Sequence, residues 1–226
     1  KVEHEQFVDL ASKAFTDLPA PTARIIEPAR YQGGDYRSSR DLEQIHYLMG
    51  FNGIAYEDPD YFAASIYATI LGGGMSTRLF QEIREAKGLV YSIYSFLSPF
   101  QDGGIFGVYA GTGESEIAEV VPLICHELKR STLDITEEET TRARTQIKAS
   151  ILMSLESTSS RCEQAARQLL IYNRIIPLEE TIAKIEAVDA QSVMKAASRI
   201  IDSPITTTSL GPIKNLDSYE TITKRF

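Results

Sequence analysis

The chain has 226 residues, of which 43% are hydrophobic and 24% charged, with a formal net charge of −8 and a pI near 5.0. This is an ordinary globular composition, in a chain long enough to bury a sizeable core. The acidic balance argues against nucleic acid as the main partner, because phosphate binding requires a basic face. No apolar run approaches the ~20 residues that a membrane-spanning helix needs.

The first predicted elements are a helix and two strands. Apolar residues at helical spacing between Glu3 and Phe15 predict the helix, and the prolines of residues 17–21 are expected to end it. A polar, glycine-containing strand at a sheet edge is predicted from about Tyr31 to Arg37. A strand richer in apolar and aromatic residues is predicted over 44–55.

A largely apolar helix is predicted to follow these strands. Asp58 is placed to be its N-cap, and Pro59 is suited to its first helical position. Three successive glycines end the helix, where they supply a C-cap and then a flexible hinge: Gly72, Gly73 and Gly74.

The next helix is predicted to be capped by Ser76 or Thr77 and to end near Gly88. It leads into a hairpin whose strands cover residues 89–100 and 104–110, joined by a turn at 101–103.

The rest of the chain is predicted to be mostly helical, over residues 114–129, 136–155, 157–172, 178–188 and 190–201. Thr136 and Glu139 form a capping box, and Asp189 is a further N-cap. A threonine-rich strand at 205–210 follows. Strand pairs joined by helices, without regular βα alternation, indicate an α+β fold, a mostly antiparallel sheet with helices packed on one face. We expect a single domain over residues 1–226.

The candidate chemistry lies at Arg84 and Tyr91, one near a predicted helix end and the other early in a strand. Guanidinium and phenol groups both donate hydrogen bonds, which suits a grip on a peptide carbonyl without a metal ion. The structural alternative is an arginine paired with Glu82 or Glu85 on a helix surface, and a tyrosine packed in a strand.

No zinc site is predicted within this chain. Zinc motifs need closely spaced ligands, such as H-x-x-E-H, and the three histidines are far apart: His4, His46 and His126. Cys125 adjoins His126, but neighbours on a helix point about 100° apart. Cys125 and Cys162 are predicted to be buried, reduced thiols, with a disulfide as the alternative.

The segment S-x-R-L-F-Q-E-I-R-E-x-K-G-L-x-Y-S at residues 76–92 closely resembles the C-terminal half of a peptidase M16 subunit. This is the family of the mitochondrial processing peptidase, insulysin and pitrilysin. Three further stretches resemble the processing-peptidase branch: FTDLPAP, IHYLMGFNG and TRARTQIKASILMSLES. The resemblance implies an antiparallel half-subunit backed by helices, which forms one half of a clamshell zinc metalloendopeptidase.

The resemblance also implies roles for individual residues. Arg84 would hold a substrate carbonyl beside the scissile bond, and Tyr91 would donate to the developing oxyanion opposite the zinc. Weaker substrate-binding candidates are Gln81 and Ser92, together with the glycines of the loop that would border the chamber: Gly72, Gly73 and Gly74.

The zinc itself would be bound by an N-terminal domain absent from this chain, or by a sister subunit that carries H-x-x-E-H. The start at Lys1 is interpreted as truncation of a longer chain, which alone is expected to be inactive. The expected partners are a peptide substrate and that domain or subunit, in a dimer. A soluble protein of the bacterial cytoplasm or periplasm, or of the mitochondrial matrix, is expected.

Two alternatives belong to other functional classes. One is a non-catalytic scaffold subunit like the core proteins of the respiratory bc1 complex. The resemblance implies that those proteins share this fold. The other is a module that binds peptides on an exposed strand without cleaving them.

Overall fold

The order of helices and strands follows the prediction up to the last strand, and the two short helices after that strand were not predicted. The computed structural model describes residues 2–19 and 27–226. The strands are β1 (Gly34–Ser39), β2 (Ile45–Asn52), β3 (Val90–Pro99), β4 (Gly104–Thr112) and β5 (Thr206–Gly211). The helices are α1 (His4–Ala14), α2 (Tyr61–Gly72), α3 (Ile117–Arg130), α4 (Glu137–Ser154), α5 (Thr158–Tyr172), α6 (Leu178–Glu186), α7 (Ala190–Ile201) and α8 (Tyr219–Thr223). A π-helix (Phe80–Glu85), here called the motif helix, precedes β3, and a short 3-10 helix (Ile213–Asn215) precedes α8.

The strands form one sheet in the order β1-β5-β2-β4-β3. β2 pairs antiparallel with both β4 and β5, and β3 pairs antiparallel with β4. β1 pairs parallel with β5, from Gly34 opposite Thr206 to Ser39 opposite Gly211. The sheet is therefore mostly antiparallel, as predicted, and β1 lies at its edge.

One face of the sheet is covered by helices. Alternate residues of β2 point into the core and are fully buried: Ile45, Tyr47, Met49 and Phe51. Residues of α2, α3 and α7 belong to the same core cluster. Burying each such side chain contributes about 1.5–3 kcal/mol relative to leaving it in water. The helices thus pack on one face, and the other face of the sheet is left to carry polar and aromatic residues.

The start of α2 differs from the prediction. Asp60 is its N-cap, so the helix begins two residues later than an Asp58 cap would place it. The Asp58 carboxylate instead accepts a hydrogen bond from the Asp60 N–H at 2.9 Å, which closes an Asx turn. It also binds Arg199 of α7 at 2.7 Å, and this hydrogen bond lowers the pKa of Asp58.

The predicted caps of two later helices are confirmed. At the start of α4, the Glu139 N–H donates to Thr136 Oγ1 at 3.2 Å, and the Thr136 N–H donates to Glu139 Oε2 at 2.9 Å. At the start of α7, Asp189 Oδ1 accepts from the Ser192 N–H at 2.7 Å. These side chains satisfy backbone donors that a helix start otherwise leaves without partners.

The two cysteines lie in different environments. Cys125 is buried in α3, where burial raises the pKa of its thiol to about 12. Cys162 is exposed on α5, a helix with no buried residue. Both are free thiols, so the predicted burial holds for Cys125 and is wrong for Cys162.

Helix α1 is not packed into the core, although its apolar residues lie at helical spacing. It has no buried residue, and its apolar side chains Phe7 and Leu10 are 61% and 66% exposed.

Within residues 2–19 and 27–226, every helix is too short or too polar to cross a bilayer.

Candidate functional site

The site is built around the connection from α2 through the motif helix to β3. At its start, Gly72 and Gly73 allow close packing. A Cβ atom on Gly72 would lie 2.4 Å from the Ser95 amide nitrogen of β3, and one on Gly73 would lie 2.8 Å from the Thr69 carbonyl oxygen. Gly73 is the C-cap, as predicted, but its φ of −82° is not left-handed. Glycine is therefore required here by close contacts, while Gly74 has room for a side chain.

The loop between α2 and the motif helix is held by side chains of its own segment. Thr77 Oγ1 donates to the Gly74 carbonyl at 2.6 Å, and Gln81 Nε2 donates to the Met75 carbonyl at 2.7 Å. The predicted capping of the next helix by Ser76 or Thr77 is wrong, because the Thr77 hydroxyl bonds to a preceding turn and no side chain caps the motif helix. Gln81 is exposed and uses one amide donor within this loop.

The helix that carries Arg84 is a π-helix, which the sequence did not reveal. Its backbone bonds skip one residue more than those of an α-helix, as in the bond from the Ala86 N–H to the Gln81 carbonyl at 2.9 Å. π-Helices are rare and occur frequently at functional sites. Gly88, with a φ of +66°, ends the helix in the left-handed region, where glycine carries no steric penalty.

Arg84 is exposed, and its guanidinium lies over the Phe80 ring, 4.9 Å from the ring centroid. Across the described parts of the chain it forms no ion pair, so pairing with Glu82 or Glu85, the structural alternative, is not observed. The ring attracts the guanidinium as a cation, and the Arg84 N–H groups make no hydrogen bond within the described residues. These donors are available to a ligand.

Tyr91 lies at a bulge in β3. Val90 is opposite Thr112 and Ser92 is opposite Gly111, so Tyr91 is the extra residue and has no partner in the register. Its side chain is 65% exposed. Bulges redirect a side chain and are common next to active sites. The hydroxyl of Tyr91 is therefore displayed at the edge strand, a few residues beyond the motif helix.

Ser92 lies on the uncovered face of the sheet, beside a polar group that sequence reasoning missed. A Cβ atom on Gly111 would lie 2.9 Å from Ser92 Oγ and 3.3 Å from the Tyr109 hydroxyl. That hydroxyl shares a 2.7 Å hydrogen bond with His46 Nδ1, and its ring stacks on Tyr94 with centroids 5.0 Å apart. The period-two alternation of β2, which separates His46 from its buried neighbours, was the signal for this group.

Residues 2–19 and 27–226 do not form a zinc site. His4 lies in α1, His46 in β2 and His126 in α3, on three separate elements. Among the residues that the structure describes, no group of three or more histidine, cysteine or carboxylate side chains is arranged to hold a metal ion. A cavity of about 880 Å³ lies elsewhere, lined by α3, α7 and the C-terminal residues, and includes neither Arg84 nor Tyr91.

The fold is thus a mostly antiparallel sheet with helices on one face, which exposes Arg84 on the motif helix and Tyr91 on the edge strand. Residues 1–147 match the family described as "Peptidase M16 inactive domain". This match covers well over half of the sequence, and the chain belongs to the peptidase M16 family, as the motif predicted.

The relatives include bacterial proteins named zinc proteases and subunits of mitochondrial-processing peptidases. An uncharacterized zinc protease of Rickettsia bellii is 34% identical over 219 residues, covering 96% of this chain and 53% of the relative. A probable mitochondrial-processing peptidase subunit beta of Arabidopsis thaliana is 33% identical over 240 residues, covering 99% of this chain and 45% of the relative. The chain therefore spans about half the length of the relatives it matches.

A solved structure supports the same fold. The structure described as complex III2 from Candida albicans with Inz-5 bound superposes with a TM-score of 0.89, covering 100% of this chain and 56% of the other chain. The identity is 23%, so the likeness shows the fold alone.

Proposed function

We propose that this chain is the arginine- and tyrosine-bearing half of an M16 zinc metalloendopeptidase. It is a single domain and forms one side of a chamber that encloses the peptide. Family membership supports this proposal, as do relatives named zinc proteases and processing-peptidase subunits. The observation that carries it is the exposure of both Arg84 and Tyr91, whose side-chain donors make no hydrogen bond among the described residues.

The proposed roles follow from hydrogen-bond chemistry. The Arg84 guanidinium donates to a carbonyl of the bound peptide, which holds the chain in register beside the scissile bond. The Tyr91 hydroxyl donates to the oxyanion that develops at the scissile carbonyl. A donor aimed at developing charge stabilises the transition state more than the ground state, which is the condition for raising kcat.

The surroundings supply weaker contacts to the same peptide. Ser92 and Gln81 offer hydrogen bonds beside the pair, and the exposed Gly73 and Gly74 border the bound peptide in this proposal, whereas Gly72 is buried against Ser95 of β3. Zinc is assigned to the other half of the protein or to a sister subunit, because the ligands in this chain do not fit it. The chain alone is therefore inactive in this proposal, and it works as part of a dimer or a two-domain subunit. Its compartment is the bacterial cytoplasm or periplasm, or the mitochondrial matrix.

A second candidate is a non-catalytic scaffold subunit of the same fold. It is favoured by the description of the matched family as the inactive domain. In that case the exposed Arg84 and Tyr91 would have no substrate. A peptide-binding module that adds a strand to the edge of β3 is a third candidate, since β3 ends the sheet on one side.

Zinc content and peptide hydrolysis distinguish these functions. Each is measured on the chain assembled with its complementary half and on the chain alone. Hydrolysis is followed with an internally quenched, unstructured peptide. Zinc and cleavage in the assembly, with neither in the chain alone, support the peptidase. An assembly that binds neither zinc nor peptide supports the scaffold, and capture of the peptide without products supports the binding module.

A further inference from the structure

Arg78 is the most constrained charged residue of the motif segment. Its side chain is only 8% exposed. Its Nε donates to Glu139 Oε1 at 2.6 Å, and its Nη2 donates to Glu139 Oε2 at 2.7 Å. The same guanidinium binds the Asp134 carbonyl at 2.9 Å and pairs with the Asp134 carboxylate. A planar fork matched to a carboxylate in this way is specific in direction as well as strong.

Both acceptors of Arg78 have further contacts, an ion pair with Arg130 at Asp134 and a helix cap at Glu139. Arg130 lies 3.0 Å from a Glu127 carboxylate oxygen and 3.4 Å from an Asp134 carboxylate oxygen. Glu127 is 3% exposed, and burial raises its pKa, against the lowering effect of Arg130. Glu139 also closes the capping box of α4. The network therefore joins the end of α3, the following turn and the start of α4 into one platform.

Helix α4 holds both ends of the loop before the motif helix. Glu139 and Gln146 are seven residues apart, two turns along the same face of α4. Glu139 binds Arg78 at one end of the loop, and Gln146 Nε2 donates to the Gly73 carbonyl at 2.9 Å at the other. The loop is thus attached to α4, which is a different helix from the two that the loop connects.

Arg78 also leads directly into the residue proposed to bind substrate. Leu79 and Ile83 are fully buried, so the motif helix has a fixed buried face. Arg84 follows Ile83 and rests on the Phe80 ring. A shift at Arg78 would turn or slide this short helix and carry the Arg84 guanidinium with it.

We propose that Arg78 is a positioning residue, which fixes the motif helix against Glu139 and Asp134 and thereby aims Arg84. This inference rests on the function proposed above. Lysine cannot replace Arg78 in this role, because an ammonium group is a point charge and cannot bind both carboxylate oxygens in a fixed plane. Misplacement of a binding group by about 1 Å can cost roughly 100-fold in rate.

The first test is kinetic and uses the assembled protein. Arg78→Lys should lower kcat/KM by about 10- to 100-fold. The matched control is Arg144→Lys, because Arg144 is also an arginine with little exposure, at 16%, and binds Glu137 at 2.8 Å and the Val188 carbonyl at 2.9 Å. The control should lose less than about threefold, since its contacts do not reach the motif segment.

The decisive readout is non-additivity with Arg84. If Arg78 acts through Arg84, then Arg78→Lys should cost less than about twofold in an Arg84→Ala background. A merely structural contribution would multiply instead, and Arg78→Lys would cost the same factor in both backgrounds. Equal costs in the two backgrounds would overturn the proposal.

A second readout does not require activity. The Gly88 N–H donates to the Arg84 carbonyl at 3.0 Å, and the Leu89 N–H donates to the Ile83 carbonyl at 3.1 Å. Arg78→Lys should speed hydrogen exchange at these two amides by about tenfold or more, and Arg144→Lys should not. Unchanged exchange would overturn the positioning role even in an assembly that cleaves nothing, so this failure is distinct from failure of the proposed function. If Arg78→Lys does not fold, Glu139→Gln replaces it. This variant should show the same loss of kcat/KM, the same dependence on Arg84 and the same faster exchange, each with a smaller effect.

Discussion

Gly72 of α2 and Ser95 of β3 approach so closely that a Cβ atom on the glycine would lie 2.4 Å from the Ser95 amide nitrogen and 2.8 Å from its Oγ. Ser95 Oγ in turn donates to the Ala68 carbonyl of α2 at 2.7 Å. The helix that delivers the chain to the motif segment is therefore seated directly on the edge strand that carries Tyr91.

Gly72→Ala should consequently destabilise the chain by about 1–3 kcal/mol or more, because backbone of β3 must move to admit the methyl group. Gly103→Ala is the matched control, since a Cβ atom there would meet nothing within 4 Å. The control should stay within about 0.5 kcal/mol of wild type. Urea denaturation of the variants measures both. Equal stability of the two variants would show that α2 and β3 are less tightly packed than described.

Two fully buried tyrosines should respond oppositely to loss of their hydroxyl groups. The Tyr67 hydroxyl shares a 2.9 Å hydrogen bond with Ser131 Oγ, whereas the Tyr47 hydroxyl is buried without a partner among the described residues. Tyr67→Phe should cost about 0.5–1.5 kcal/mol, and Tyr47→Phe should be neutral or stabilising, because an unsatisfied buried hydroxyl carries only a desolvation cost. Thermal denaturation of the two variants provides the comparison. A larger loss for Tyr47→Phe would reveal a partner for its hydroxyl.

Local sequence signals were sufficient for most of the fold. The alternation of β2, the capping box at Thr136 and the Asp189 cap each depend on residues within a few positions of one another, and each prediction is confirmed. The start of α2 was misplaced because the Asp58 carboxylate is held by Arg199, which is 141 residues away. Partners so distant in sequence leave no local pattern.

The candidate site shows the same division between local and distant information. The motif identified Arg84 and Tyr91, and the structure shows that both are exposed. The π-helix and the bulge at Tyr91 were not predicted, since both depend on how the motif segment fits against β3 and β4 and not on residue propensity. The burial of Arg78 also depends on α3 and α4, which follow it in the chain, and gave no signal in sequence.

Acid should remove a stabilising contribution of Glu139. Burial alone would raise its pKa, but hydrogen bonds from Arg78 and the Thr136 backbone outweigh burial and lower the pKa to about 2. The pKa in the unfolded chain is higher, at about 4.3. The contribution is therefore complete above about pH 4.3 and is lost as the pH falls towards 2.

At about 1.4 kcal/mol per pKa unit, this contribution amounts to at most roughly 3 kcal/mol. Urea denaturation between about pH 5 and 2.5 should show wild type approaching Glu139→Gln in stability as the pH falls. The acid-dependent loss should persist in Glu138→Gln, because Glu138 is exposed and its side chain makes no hydrogen bond within the described residues. A constant difference between wild type and Glu139→Gln across this range would contradict the lowered pKa.

Removing either donor of the proposed pair should impair catalysis without unfolding the chain. In the assembled protein, Arg84→Ala and Tyr91→Phe should each lower kcat by about 100- to 1000-fold, the usual cost of losing one transition-state hydrogen-bond donor. Stability should change by less than about 1 kcal/mol, because both side chains are exposed and the contact of Arg84 with Phe80 is a surface cation–π pair.

The matched controls are Tyr36→Phe and Arg142→Ala. Tyr36 is 65% exposed, as Tyr91 is, but lies at the opposite edge of the sheet on β1. Arg142 is exposed on α4. Both controls should cleave the quenched peptide at the wild-type rate, since neither lies in the motif segment. Wild-type turnover in Arg84→Ala and Tyr91→Phe would contradict the assignment of this pair. Equal losses in the controls would instead show that the effect comes from general changes of the protein surface. Tyr36 and Tyr91 have the same exposure, so only a specific role of Tyr91 predicts different rates for their variants.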